Sequence, residues 1–111
     1  MIQKLYRYVQ VNYAPPIDEF DNPRGEGRTS IEMQTFDVIK QTPKGVWIND
    51  FSGKKFVNLT ARKKYACLTE AEALTSFIAR KNRHISILTA QLKSAQKSLH
   101  IANIFFQTLL N

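Results

Sequence analysis

Residues 69–88 read TEAEALTSFIARKNRHISIL, and within them the hydrophobic pattern of this 111-residue chain changes period. Thr69 is followed three positions later by Glu72, the spacing of a capping box, in which the two side chains satisfy backbone donors that a helix start would otherwise orphan. A helix therefore begins here. From Glu70 to Leu110 neither glycine nor proline interrupts it. Ala71, Ile78, Ile85, Leu92, Leu99 and Phe106 recur every seven residues, with Leu74, Leu88, Ala95, Ala102 and Leu109 at the complementary spacing. Lys81 is the one polar residue in that seam.

Unbroken, such a helix is about 60 Å long, whereas a domain of this size is roughly 35 Å across. Either the segment folds into a helical hairpin, or its far half leaves the domain for another subunit. The first half of the stripe could equally cover a sheet of its own chain. The end, IANIFFQTLL at 101–110, is apolar nearly all round and needs burial. The expectation is a homo-oligomer with Leu92, Leu99, Phe105, Phe106 and Leu109 at its interface.

Upstream of Thr69 the period is two. From Leu5 to Tyr13, Leu5, Val9, Val11 and Tyr13 share a face with Arg7, as a strand requires. Residues 14–30, APPIDEFDNPRGEGRTS, hold three prolines and two glycines and read as a long loop, mobile until it meets a partner. Strands follow at Ile31–Gln41, at VWIND (46–50) and at KKFVNL (54–59), the first two joined by TPKG (42–45). That turn suits Pro43 at its second position and Gly45 at its fourth, with a positive φ expected at Gly45. KKYACL (63–68) is either a short fifth strand or an extended approach to the helix. The fold class is α+β: an antiparallel meander of four to five strands, then a long helix or helical hairpin. It is read as one domain, 1–111, with a sheet part at 1–68 and a helical oligomerisation part at 69–111.

The net charge of +7 is uneven. Residues 1–50 hold six basic and seven acidic groups, and residues 51–111 hold ten and two. Such a field favours anionic partners. Arg62, Lys63 and Lys64 precede the helix, while Arg80 and Arg83, with His84 beside them, share one helical face. Arginines in this arrangement grip phosphate, and Tyr65, Phe77 and Trp47 from the sheet are the aromatic neighbours able to stack on a base. The alternative is that Trp47 and Phe77 are core and the arginines are a solvated face.

Signals for catalysis are weak. GEG (25–27) lacks the third glycine and preceding strand of a dinucleotide loop. Asp18, Glu19 and Asp21 lack calcium-site spacing, and His84, His100 and Cys67 match no zinc pattern. No enzyme, cofactor or metal is expected. One cysteine excludes an internal disulfide and fits a reducing cytoplasm, and no stretch is long and apolar enough to span a membrane.

The segments VIKQTPKGVWI (38–48) and ARKKYACLTEAEALTSFIARK (61–81) resemble small phage-encoded proteins, the likeness covering roughly residues 36–90. In architecture the chain looks most like the anti-Thoeris sponges, oligomers that sequester cyclic nucleotide signals of bacterial immunity. The resemblance implies a non-catalytic binder in the host cytoplasm, holding a small anionic nucleotide between subunits, with no ligand residue carried over position by position. A nucleic-acid-binding accessory protein and an inhibitor that masks a host defence protein remain the other readings.

Overall fold

The computed structural model describes residues 2–111. The chain divides into two compact units, Met1–Phe77 and Ile78–Asn111. The first holds a four-stranded antiparallel sheet in the order β1-β2-β3-β4, formed by β1 (Lys4–Tyr13), β2 (Arg28–Gln41), β3 (Gly45–Asp50) and β4 (Gly53–Asn58). A single helix, α1, runs from Glu70 to Leu110 without a break. The architecture is α+β, with four strands and a continuous helix in place of a hairpin.

The core lies on one face of the sheet. Leu5 on β1 is directly opposite Phe36 on β2, and Val46 on β3 is opposite Val57 on β4. These four, with Ile48 and Ala66, form a buried cluster against which Ile2, Val38, Leu59 and Tyr65 pack. Leu5, Val46 and Ile48 are fully buried, so truncating Leu5 or Ile48 to alanine removes packing in the range of about 2–5 kcal/mol. Strand alternation puts Trp47 and Phe56 on the opposite face, where their rings meet at 5.3 Å and stay partly exposed. Around Ile39 the β2–β3 register shifts between Val38 and Lys40, a bulge that puts Lys40 across from Trp47.

β2 starts three residues earlier than its apolar pattern suggests. Arg28, Thr29 and Ser30 carry no apolar side chain, yet Tyr13, Asn12 and Val11 pair with them in the ladder. Side chains reinforce that end. The Arg28 guanidinium lies 4.6 Å from the Tyr13 ring centroid, Tyr13 Oη donates to Glu32 Oε1 at 3.0 Å, and Thr29 Oγ1 donates to Asn12 Oδ1 at 3.2 Å. The connecting loop is correspondingly shorter, 14–27. It has hydrogen bonds of its own: Asp18 Oδ1 accepts from the amides of Phe20 and Asn22, and the Arg24 amide donates to Pro16 O at 2.6 Å.

The expected positive φ at Gly45 is absent. Among the described residues the glycines with positive φ are Gly25 and Gly53. Gly45 is instead required by crowding, because a Cβ there would collide with the Val57 carbonyl oxygen and lie 2.9 Å from Phe56 Cζ. The turn closes through Thr42, whose amide and hydroxyl both donate to Gly45 O, at 2.8 and 3.0 Å.

KKYACL forms no fifth strand. It makes one isolated antiparallel bridge, in which Tyr6 and Cys67 exchange two backbone hydrogen bonds of 2.8 Å. That bridge covers part of the open edge of β1, which would otherwise present unpaired backbone groups. Cys67 is buried. Thr69 then caps α1: its Oγ1 accepts from the Glu72 amide at 3.1 Å and its carbonyl from the Ala73 amide at 3.0 Å. Tyr8 Oη donates to Glu70 Oε1 at 2.7 Å, tying the first helical turn to β1. The buried residues of the helix are Ala73 and Phe77, both in its first two turns.

Candidate anion-binding residues

In the first unit, the aromatic residue singled out before the helix is already engaged by cations of its own chain. The Arg7 guanidinium carbon lies 4.4 Å from the Tyr65 ring centroid and Lys55 Nζ lies 3.8 Å from it. Arg7 Nη1 also donates to the Tyr65 carbonyl oxygen at 2.6 Å, and Phe36 contacts the same ring at 5.8 Å. Each cation–π contact stabilises by about 0.5–2 kcal/mol depending on its desolvation. Tyr65 thus anchors the segment before α1 onto the sheet. Arg7 and Lys55 were not among the expected site residues. The signal for Arg7 was its place in the strand alternation, a charged residue on the face shared by Leu5 and Val9.

Arg62 and Lys63 are exposed and Lys64 is half-buried. Phe77 is buried, 8% exposed, so its ring serves packing and does not offer a stacking surface. In the second unit, Arg80 is half-buried while Arg83 and His84 are exposed. The helix brings these three together: spacings of three and four residues put them on neighbouring turns of one face. From Asn82 to Leu110 every helix residue is exposed.

The pKa shifts lie elsewhere. A hydrogen bond to Glu70, reinforced by some desolvation and the carboxylate charge, raises the Tyr8 phenol, and Glu32 raises Tyr13 in the same way. Asp50 is lowered because its carboxylate accepts from the Ser52 hydroxyl and amide, at 2.8 and 2.9 Å. These bonds tighten a strand end and the β3–β4 turn. A recess of about 290 Å³ beside Phe36 and Phe51 has Asp50 as its charged lining residue, the wrong sign for phosphate. Among the described residues no three His, Cys, Asp or Glu side chains are placed to share a metal ion, and no helix is long and apolar enough to cross a membrane.

The predicted interface residues lie on the second unit. Leu92, Leu99, Phe105, Phe106 and Leu109 are between 58% and 83% exposed, values far outside those of core side chains. Comparison of the chain with protein-family models, with curated proteins and with solved structures gives no match.

Proposed function

We propose that this protein is a non-catalytic binding protein that assembles through the exposed part of α1 and captures a phosphate-bearing ligand, a small cyclic or linear nucleotide. One observation carries the choice of ligand. From Ala73 to Asn111 the chain has five lysines and arginines, two histidines and no acidic residue. Arg83, Lys93 and Lys97 are exposed on a helix that carries no acidic side chain after Glu72, and a bound phosphate offsets the repulsion among them through charge-assisted hydrogen bonds. Arg80 and Arg83, three residues apart, are the pair best placed to grip one phosphate, with His84 adjacent.

Assembly is supported by the same helix. Ile78, Ile85, Leu88, Leu92, Leu99, Phe106 and Leu109 lie on the heptad seam and are each about half exposed or more. Covering such a side chain contributes roughly 1 kcal/mol, half the value for burying it from full exposure. Capture of an immune nucleotide signal by such an oligomer is also what the resemblance to the anti-Thoeris sponges implies.

A specific feature favours a second reading, nucleic-acid binding: the cations from Arg80 to Lys97 spread along about 26 Å of helix, a length suited to several phosphates. Calorimetric titration of the parent and of the Arg80→Ala/Arg83→Ala double variant against cyclic and linear nucleotides and duplex DNA separates the two. The expected result is nucleotide binding by the parent that the double variant loses at unchanged oligomeric state. Two charge-assisted bonds of about 1.5–3 kcal/mol each amount to at least a hundredfold in affinity. Tight duplex binding that weakens steeply with salt moves nucleic acid to first place. No binding to either leaves a protein surface as the target.

A further inference from the structure

The heptad seam of α1 has an internal symmetry that fixes how two copies would meet. We infer that two subunits pair their helices antiparallel, with Leu88 of one opposite Leu99 of the partner subunit and the whole stretch Ile78–Leu109 overlapping itself in reverse. This rests on the assembly through α1 proposed above and specifies its geometry.

In that register the seam closes in five kinds of layer. Ile78 meets Leu109 of the partner subunit, Lys81 meets Phe106 of the partner subunit, and Ile85 meets Ala102 of the partner subunit. Leu88 meets Leu99 of the partner subunit, and Leu92 meets Ala95 of the partner subunit. Each alanine of the seam is set against a large residue, so no layer is left with two alanines and the voids that would follow. A parallel pair in register does the opposite. It stacks Ala95 and Ala102 on their own copies, leaving voids, crowds Phe106 on Phe106, and opposes two Lys81 ammonium groups inside the seam. In the antiparallel layer the Lys81 stem runs along apolar surface and its ammonium reaches the Phe106 ring or solvent.

Charge points the same way. The positions flanking the seam, Asn82, Thr89, Gln96 and Asn103 on one side and His84, Gln91 and Ser98 on the other, carry no lysine or arginine. Arg80, Arg83, Lys93 and Lys97 fall on the outer positions of the heptad. Reversal places the Arg80–Arg83 group of one subunit beside the uncharged stretch 101–110 of the other, whereas a parallel pair sets the two basic groups at one level. The overlap also begins at Ile78, the first residue of the second compact unit. Ile87, Ile101 and Ile104, about half exposed, lie outside this seam and are available for packing one pair on another.

Cross-linking tests the register in full-length protein carrying Cys67→Ala, with Leu88→Cys and Leu99→Cys introduced singly. In the antiparallel pair Leu88 lies about 16 Å from Leu88 of the partner subunit, eleven residues of helical rise, too far for a disulfide. Each variant oxidised alone is expected to stay largely unlinked, and the two refolded together to give a mixed disulfide dimer in severalfold excess over either self-linked product. Ile85→Cys with Ala102→Cys repeats the test at a second layer, where one substitution changes volume little. Self-linking of the single variants at both layers, or no linking in either mixture, overturns the antiparallel register. Sedimentation of the parent separates this from the assembly itself: a monomer at tens of micromolar refutes both, while a dimer or larger species whose single variants self-link leaves assembly intact and refutes only the reversal. Packing of pairs through Ile87 and Ile101 keeps the same cross-link pattern.

Discussion

Replacing Gly45 by alanine is expected to destabilise the sheet severely, and for a reason that separates steric demand from backbone conformation. The added Cβ would overlap the Val57 carbonyl oxygen and lie 2.9 Å from Phe56 Cζ and 3.0 Å from Val57 C. The Phe56 ring end can swing aside, but the Val57 backbone cannot move without opening the β3–β4 ladder. Gly45 pairs with Asn58 at the end of that ladder, and the adjacent Leu59 amide donates to Lys44 O at 3.0 Å. Both lie next to Val46 and Val57, which are 0% and 1% exposed. Overpacking a tight site costs about 1–3 kcal/mol, and loss of one ladder hydrogen bond about 0.5–1.5 more, so Gly45→Ala is expected to cost about 1.5–4.5 kcal/mol. For a cooperative unit of this size each kcal/mol lowers the thermal midpoint by about 4–8 °C. The midpoint should therefore fall by at least about 6 °C in thermal unfolding followed by circular dichroism.

Gly25→Ala is the control. Gly25 has φ of +80° and nothing within 4 Å of its notional Cβ, so its replacement costs only the left-handed conformation, about 1–2 kcal/mol. A Gly45→Ala midpoint within 2 °C of the parent, or a drop smaller than that of Gly25→Ala, would refute the steric account of the β2–β3 turn.

Two further outcomes follow from the loop and the cap. Asp50 is held below its ordinary value of 3.8 by the Ser52 hydroxyl and amide, so its contribution is present above the unfolded pKa and is lost as pH falls through the lower folded value. Asp50→Asn should flatten the acid limb of stability below about pH 4, and acid titrations of parent and variant that superimpose would show those bonds to be without consequence. Thr69→Ala removes the acceptor of the Glu72 amide and should cost about 1 kcal/mol, read from urea unfolding midpoints at unchanged slope, whereas Thr69→Ser should cost clearly less.

The parts of the fold legible in the sequence were those written in periodicity. The alternation from Leu5 to Tyr13 marks β1 to within one residue, and Thr69 with Glu72 marks the helix start. The run to Leu110, left open between one helix and a hairpin, is a continuous helix. What escaped was written in pairing. Arg28, Thr29 and Ser30 have polar side chains and become strand only because Tyr13, Asn12 and Val11 need partners. Gly45 looked like a glycine chosen for its φ, because turn chemistry is local, whereas its real constraint comes from Val57, twelve residues away and across a ladder.

The basic residues illustrate the same division more sharply. Arg80, Arg83 and His84 could be grouped from sequence because a helix converts spacing into neighbourhood. Arg7, Lys55 and Tyr65 could not, since their contact joins three segments of chain, with Arg7 donating to a carbonyl fifty-eight positions away. That cluster alters what the cations of this protein mean. Arg7 and Lys55 are spent on an aromatic ring and a carbonyl of the first unit, so part of the positive charge of the chain has a structural use. Arg62 and Lys63 lie exposed beside that anchor. The helical cations from Arg83 onward differ from Arg7 in kind, because every residue from Asn82 to Leu110 is exposed and no Asp or Glu follows Glu72. On the proposed reading an anion from outside the chain neutralises Arg83, Lys93 and Lys97, because the proposed antiparallel pairing of α1 brings in no acidic side chain to do it. On the proposed reading self-assembly falls to the seam of the helix and anion capture to its outer face, so Arg80→Ala/Arg83→Ala should remove the second while leaving the first.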